Sequence, residues 1–153
     1  MTRQGLYLED FPVGQCFTTK GRTVTEADIV AFTGLSGDFN PLHIDEEYCK
    51  STPHGTRIAQ GLLGLSIASG LVSQLGLLTG TAVGFLGMNW RYSGAIRAGD
   101  TIHVVITTTE IRTTSNPSRG VLVRQLDIVN QKGEVVQTGD WSVMVLTRPE
   151  ADL

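Results

Sequence analysis

The chain has 153 residues, a formal net charge of −3 at pH 7 and a pI near 5.5. This length fits one domain, residues 1–153, and is sufficient to bury a substantial core without disulfides or metal ions. The 12 lysines and arginines form no basic run, so the sequence lacks the electrostatic signature of a nucleic-acid-binding protein. Nucleic acid is therefore not an expected partner.

Two further observations concern the cellular compartment. The only cysteines, Cys16 and Cys49, do not form a C-x-x-C motif or a Cys/His ligand pattern. We therefore expect both to be reduced, in a cytoplasmic protein without a metal site. Residues 1–14 also lack the apolar stretch of a signal peptide.

The first clear element is a short helix in residues 25–37. Thr25 and Asp28 have the spacing of a capping box, weakened because Asp replaces the preferred Glu or Gln. Ile29, Phe32 and Leu35 follow at helical spacing, and Gly37 ends the pattern. This helix delivers the chain to Asp38.

Asp38 and His43 then flank the dipeptide Asn40-Pro41. Proline fixes its own φ and disfavours a helical conformation of the preceding residue, so the backbone is expected to turn between Asp38 and His43. A turn allows a carboxylate and an imidazole to converge as an acid/base pair. From spacing alone, a helix stop followed by a polar loop explains the pattern equally well.

Residues 44–57 predict one brief helical turn followed by a loop. Residues 58–90 contain no charged side chain, and residues 61–78 have the length of a membrane span. Glycines and polar residues interrupt this segment, and its flanks show no Lys/Arg asymmetry, so we do not expect membrane insertion. We expect instead a buried central helix with a stripe formed by Leu62, Leu65, Ser69, Val72 and Leu75/Gly76.

The second half of the chain has the composition of β-strands. Val, Ile, Thr and Trp are frequent in residues 84–92, 101–113, 120–130 and 134–147. Residues 130–133 predict a hairpin turn between the last two strands, and residues 116–120 a longer loop. With a strand near residues 15–23, the pattern predicts an α+β fold with an antiparallel sheet curled about one long helix.

The region around Asp38 carries a denser motif, formed by Gly34, Ser36, Gly37, Asp38, Asn40, Pro41 and His43. This motif resembles the hydratase signature of the MaoC-like family, which includes the (R)-specific enoyl-CoA hydratases of the hot-dog fold. The resemblance extends along most of the chain, through the glycine-led helix and the strand-rich second half. It implies a hot-dog fold, in which the sheet wraps around the central helix.

The resemblance also implies roles for individual residues. Asp38 would be the base and His43 the acid, with a water molecule held between them. The backbone N–H of Gly61 would stabilise the negative charge on the thioester oxygen, which agrees with the unpaired amides and positive dipole at a helix start. Many relatives have a His before this glycine, whereas this chain has Gln60.

Asn40 and Ser69 are further candidates. Asn40 would fix the bend, although Asn before Pro is common in turns without a function. Ser69 lies eight residues beyond Gly61 and is expected to face the same general direction on the helix. The resemblance implies that this position lies near the acyl pocket. A helical serine that bonds back to a carbonyl is an equally good explanation of Ser69, and a plain junction of loop and helix is the alternative for Gly61.

The implied activity is the reversible hydration of 2-enoyl-CoA thioesters to (R)-3-hydroxyacyl-CoA, a step of fatty acid metabolism. Coenzyme A would enter as part of the substrate, and no separate cofactor or metal is expected. Exposed sheet edges and the resemblance predict a homodimer or an assembly of dimers. The alternatives are a hot-dog acyl-CoA thioesterase and a non-catalytic acyl-CoA-binding module. His54 and His103 are interpreted as incidental.

Overall fold

The computed structural model describes residues 5–149. Residues Leu8–Asp10 form a single 3-10 turn. The helices and strands that follow, in chain order, are β1 (Cys16–Thr18), β2 (Arg22–Thr23), α1 (Glu26–Ser36), α2 (Pro41–Ile44), α3 (Glu46–Lys50), α4 (Gly61–Gln74), β3 (Ala82–Tyr92), β4 (Thr101–Thr113), β5 (Arg119–Val129) and β6 (Val135–Leu146).

The strands form one antiparallel sheet in the order β1-β4-β5-β6-β3, and β2 pairs with β4 next to β1. The four long strands agree with the predicted runs to within two residues at each end. The strand expected near residues 15–23 is instead two short strands, interrupted between Thr18 and Arg22. Because β6 lies between β5 and β3, strand β3 forms one edge of the sheet.

The core lies between α4 and the concave face of the sheet. Strand β4 alternates buried and half-buried residues over its first eight positions, as expected of a strand with one face on a core. Ile102, Val104 and Ile106 project from β4 onto the same cluster as Ile67 and Leu71 of α4. The helix is therefore partly enclosed by the sheet, as the sequence predicted.

The buried face of α4 differs from the predicted stripe. Leu62 is 58% exposed and Ser69 is also exposed, whereas the helix buries a face that includes Gly64, Ile67 and Leu71. The placement of Leu62 and Ser69 on the buried stripe was therefore wrong. Because the helix has no charged residue to mark its solvent side, the spacing of its apolar residues did not identify the face that packs.

The capping box at the start of α1 is confirmed. The Thr25 hydroxyl accepts a hydrogen bond from the Asp28 N–H at 3.2 Å, and the Asp28 carboxylate accepts one from the Thr25 N–H at 2.8 Å. That backbone hydrogen bond is the main reason why the pKa of Asp28 is lowered. At the other end, Gly37 adopts φ 74°, a left-handed conformation that glycine tolerates best.

Two expectations from composition can also be compared with the structure. Within residues 5–149, no helix combines the length and hydrophobicity needed to cross a bilayer. Cys16 and Cys49 are both free thiols, the first exposed and the second buried. The Cys49 thiol lies 3.5 Å from the backbone carbonyls of Pro41 and Leu42 and so packs α3 against α2.

A cluster of charges anchors the loop between α3 and α4. The Arg57 guanidinium contacts Glu26 at 2.7 Å and Glu46 at 2.9 Å, and Glu46 also accepts a hydrogen bond from the Thr56 hydroxyl at 2.8 Å. The hydrogen bonds from Thr56 and Arg57 lower the pKa of Glu46. The loop is thereby held against α1 and α3, immediately before Ile58.

The substitution Glu46→Gln should reduce the acid sensitivity of folding. A carboxylate with a lowered folded-state pKa contributes stability above its unfolded pKa, and this contribution is lost as the pH falls through the folded pKa. The difference in urea midpoint between wild type and Glu46→Gln should therefore be largest at neutral pH and shrink between about pH 5 and pH 3. Glu47→Gln is the matched control, because the one ion pair of Glu47 within residues 5–149 is the surface pair with Lys50. An equal midpoint difference at all pH values would contradict this expectation.

The substitution Gly64→Ala should destabilise the fold. A Cβ at this position would collide with the Gln137 side-chain amide and come within 2.7 Å of Ile96 Cδ1. We expect a loss of about 1–3 kcal/mol in the free energy of unfolding, measured by urea denaturation. A Cβ on Gly70, in the same helix, would meet no atom of the described residues within 4 Å, so Gly70→Ala should raise the free energy of unfolding by about 0.5–1 kcal/mol. Equal effects of the two substitutions would show that α4 is not packed as described.

Candidate active site

His43 is positioned by the turn at Asn40-Pro41. Pro41 is the first residue of α2, and the Asn40 side-chain oxygen caps the helix by accepting a hydrogen bond from the Leu42 N–H at 3.0 Å. Asn40 has an extended ψ of 134°, as expected of a residue before proline. The turn predicted between Asp38 and His43 is therefore present, and it points the His43 ring into the protein, where the residue is only 8% exposed.

The His43 ring has one fixed nitrogen. Its Nδ1 lies 2.8 Å from the carbonyl oxygen of Ile58, and because a carbonyl only accepts, Nδ1 must carry a proton. The other nitrogen, Nε2, lies 3.6 Å from Asp38 Oδ2. This distance exceeds that of a good hydrogen bond, so the two atoms can both contact one small molecule placed beside them.

Asp38 occupies the loop between α1 and α2. Its other oxygen, Oδ1, accepts a hydrogen bond from the Asn40 N–H at 3.3 Å, and its side chain is 48% exposed. The carboxylate therefore faces solvent and the imidazole faces the interior. A pair of this kind can take a proton from a bound water and deliver a proton to a substrate atom, provided that each residue has the right charge state.

Gly61 begins α4, and its N–H is one of the first amides of the helix, which have no partner within the helix. The preceding residue, Gln60, is buried and turned away from the helix end. Its Nε2 donates to the Thr33 hydroxyl at 2.8 Å and lies 3.5 Å from the Ile29 carbonyl oxygen. Gln60 thus ties the start of α4 to α1 through its side chain and leaves the Gly61 amide available.

Two residues that sequence reasoning missed surround Gly61. A Cβ on Gly61 would come within 2.7 Å of the Tyr92 ring, so this close approach requires glycine. The Gly61 carbonyl accepts a hydrogen bond from Gln137 Nε2 at 3.1 Å, and Gln137 Oε1 accepts one from the Trp90 indole at 3.0 Å. A glutamine such as Gln137 within a predicted strand can indicate a functional site from sequence alone. Its position beside Gly61, however, follows only from the register of the strands.

These groups meet in one depression, which we call the main cleft. It has a volume of about 600 Å³, and its walls include His43, His54, Gly61, Tyr92 and Gln137. The structure thus brings His43 and Gly61 to one space, with Asp38 beside His43. His54, which we interpreted as incidental, also lines the cleft, although the loop that carries it gave no sequence signal.

Ser69 lies elsewhere. It lines a second space of about 350 Å³, the distal cavity, whose walls include Ser69, Val72, Phe85, Arg124, Trp141 and Val143. Asn40 contributes the helix cap and the backbone contact with Asp38, and it is not part of the cleft wall. Of the five predicted site residues, the structure therefore places His43 and Gly61 on the main cleft, Asp38 beside His43, and Asn40 in the turn between Asp38 and His43.

Comparison with known proteins identifies the family to which this chain is similar. The model of a protein family described as "MaoC like domain" matches residues 10–129. An (R)-specific enoyl-CoA hydratase of Rhodospirillum rubrum is 32% identical over 142 residues, which is 93% of each chain. A 3-hydroxybutyryl-CoA dehydratase of Methylorubrum extorquens is 29% identical over 147 residues, covering 96% of this chain and 88% of the other.

Solved structures agree with the sequence relatives. A protein from Archaeoglobus, described as a monoamine oxidase regulatory protein, superposes with a TM-score of 0.90 at 36% identity, covering 97% of this chain and 99% of the other. A MaoC-like dehydratase from Rhodospirillum rubrum gives 0.80 at 35% identity, with coverages of 95% and 99%. A Mycobacterium tuberculosis protein with a double hotdog fold gives 0.79 at 20% identity over 95% of this chain and 46% of its own. The chain therefore belongs to the MaoC-like family of hydro-lyases and has the hot-dog fold, as its sequence motif indicated.

Proposed function

We propose that the protein reversibly adds water to 2-enoyl-CoA thioesters to give (R)-3-hydroxyacyl-CoA. The observation that carries the proposal is the 3.6 Å separation of Asp38 Oδ2 and His43 Nε2 at the cleft that Gly61 also lines. The names of the two relatives, an (R)-specific enoyl-CoA hydratase and a 3-hydroxybutyryl-CoA dehydratase, support the same reaction class. Both cysteines are free, which supports a reducing compartment such as the cytoplasm.

Hydration requires a hydroxyl group at C3 and a proton at C2. In the proposed mechanism the Asp38 carboxylate takes one proton from water, the remaining hydroxide bonds to C3, and protonated His43 gives its Nε2 proton to C2. The hydrogen bond from Nδ1 to the Ile58 carbonyl is compatible with both charge states of the ring, so the ring keeps its orientation throughout. Asp38 then returns a proton to His43 Nε2 through a water molecule that contacts both groups.

Negative charge builds on the thioester oxygen before C2 is protonated. We assign its stabilisation to the Gly61 N–H, which has the positive end of the α4 dipole behind it. Loss of one donor of this type typically lowers the rate by about 10²–10³-fold. The hydrogen bond from Gln137 to the Gly61 carbonyl holds this peptide segment in place.

The substitutions Asp38→Asn and His43→Ala should each lower kcat by about 10²–10⁴-fold, because each removes a proton-transfer group. Circular dichroism should show that both variants are folded. His103→Gln is a matched control, since His103 lies on β4, outside the main cleft, and its loss should leave kcat unchanged. Wild-type kcat in either dyad variant would remove that residue from the mechanism.

The reaction itself is tested by the loss of enoyl-thioester absorbance across a panel of short, long, branched and dicarboxylic 2-enoyl-CoAs. Chiral analysis of the product should give the (R) configuration at C3. Release of free coenzyme A thiol without hydration would support the alternative of a thioesterase. Saturable binding with no turnover would support an acyl-CoA-binding module.

We further propose that a second copy of the chain covers β3. Among the described residues this edge strand pairs only with β6, so the hydrogen-bonding groups on its other side are free for another strand. It also exposes Val83, Phe85, Leu86, Met88 and Tyr92, which is more apolar surface than an isolated strand edge tolerates well. An isologous dimer is the simplest closed assembly that covers this edge.

Light scattering should therefore give at least a dimer for the wild type. Leu86→Lys should shift the protein towards the monomer, because it places a charge on the proposed interface. Val13→Lys is the comparison, as Val13 is 66% exposed in the turn before β1, at a position distant from β3 in the sheet order. A fully active wild-type monomer of 16.5 kDa would refute the proposal.

A further inference from the structure

Three neighbouring side chains on the concave face of the sheet have donor groups without partners. Arg124 of β5 lies directly opposite Thr108 of β4 and Trp141 of β6. Their exposures are 2%, 1% and 6%, respectively. Within residues 5–149, Arg124 Nε and Nη1, the Thr108 hydroxyl and the Trp141 indole N–H have no hydrogen-bond partner. Such a row of unsatisfied buried donors is unusual in a folded protein.

Arg124 is the most unusual of the three, because a fully buried arginine is normally paired with a carboxylate. No ion pair of Arg124 exists among the described residues. Burial lowers the pKa of Arg124 to about 10, so the guanidinium still carries its charge at neutral pH. A buried positive charge without a counterion indicates that an anion belongs beside it.

The space beside Arg124 is the distal cavity, of about 350 Å³. Val72, Phe85 and Val143 give it apolar walls, and Arg124 is the only charged residue among those that line it in the described part of the chain. This combination suits a ligand group that is mostly hydrocarbon and ends in one negative charge.

The distal cavity lies farther along the same two elements than the main cleft. Gly61 of α4 and Gln137 of β6 line the cleft, whereas Ser69 and Trp141 of these elements line the cavity. Eight helical residues from Gly61 to Ser69 advance about 12 Å, and four strand residues from Gln137 to Trp141 advance about 13 Å. The two spaces are therefore displaced by about 12 Å along the groove between helix and sheet.

We propose that the distal cavity binds the terminal carboxylate of a dicarboxylic 2-enoyl-CoA, so that Arg124 selects diacid over monoacid substrates. This inference rests on the proposed hydratase function and names its substrate class. A carboxylate matches the guanidinium in charge and in its two-pronged geometry, and the methylene groups before it fit the apolar walls. The Trp141 indole and the Thr108 hydroxyl are further donors in the same row.

The displacement between the main cleft and the distal cavity also sets the length of the acyl chain that can reach Arg124. Three backbone bonds of an extended polypeptide cover about 3.3–3.6 Å, so an extended carbon chain advances about 1.2 Å per bond and needs about ten bonds to span 12 Å. A thioester carbonyl at Gly61 would therefore place the far carboxylate of a diacid of about ten to twelve carbons beside Arg124. Short diacids would leave the guanidinium unpaired.

The test compares dodec-2-enedioyl-CoA with dodec-2-enoyl-CoA, which differ only in the terminal carboxylate. In the wild type, kcat/KM should favour the diacid by at least about 30-fold, the discrimination expected of one buried charge pair. Arg124→Met replaces the cation with an apolar chain and should bring the ratio to one or below. Arg124→Lys keeps the charge and should retain part of the preference.

The outcomes separate this inference from the proposed function. Hydration of neither compound, nor of any other enoyl-CoA, would refute the proposed function, whereas hydration of the monoacid with a wild-type ratio near one would overturn only the role of Arg124. An unchanged ratio in Arg124→Met, accompanied by dissociation in light scattering, would show that a second copy supplies the counterion and would also overturn the proposal. If Arg124→Met does not fold, the proposal is tested by the ratio of kcat/KM for diacid to monoacid in the wild type and in Arg124→Lys.

Discussion

The candidate active site depends on the clamp between α2 and the segment that precedes α4. His43 donates through Nδ1 to the Ile58 carbonyl at 2.8 Å, and the Ile58 N–H donates to the Leu42 carbonyl at 3.0 Å. The next residue, Ala59, donates to the Ile96 carbonyl at 2.7 Å and so joins the clamp to the loop before β4. Gly61 follows after one more residue. The imidazole and the helix amide are therefore positioned relative to one another by one hydrogen bond from the His43 side chain to the backbone and by two backbone–backbone hydrogen bonds.

Gln60 also helps to position the start of α4, through its side chain. The resemblance led us to expect a histidine before Gly61 in many relatives, and the glutamine here binds the Thr33 hydroxyl and approaches the Ile29 carbonyl in α1. Its Oε1 is buried without a partner among the described residues. The start of α4 is thus held from α1 by Gln60 and from β6 by Gln137, whose amide reaches the Gly61 carbonyl. Two glutamine side chains, from different parts of the sequence, thus hold the same peptide segment.

The parts of the structure that the sequence predicted are those with local causes. The Thr25/Asp28 cap, the turn at Asn40-Pro41 and the long strands follow from side-chain chemistry within a few residues, and their bounds agree closely with the structure. Tyr92, Gln137 and Arg124 were not predicted, because their importance depends on strand register and on which side of the sheet meets α4. The face of α4 was missed for a related reason, since a helix without charges gives no polar side to orient it.

The strand order has a consequence for how the protein is synthesised. Strand β3 leaves the ribosome before β4 and β5, yet its only described partner in the sheet is β6, the last strand within residues 5–149. Tyr92 and Gln137, which are paired in register across these strands, close the cleft around Gly61 from residues 45 positions apart (137 − 92). The nascent chain must therefore carry an apolar β3 without its sheet partner until β6 has been translated. A chain truncated between β5 and β6 would contain the Asp38 and His43 motif but would lack the Gln137 side of the cleft wall. Its unpaired apolar β3 would be exposed, so such a chain should bind chaperones and lack activity.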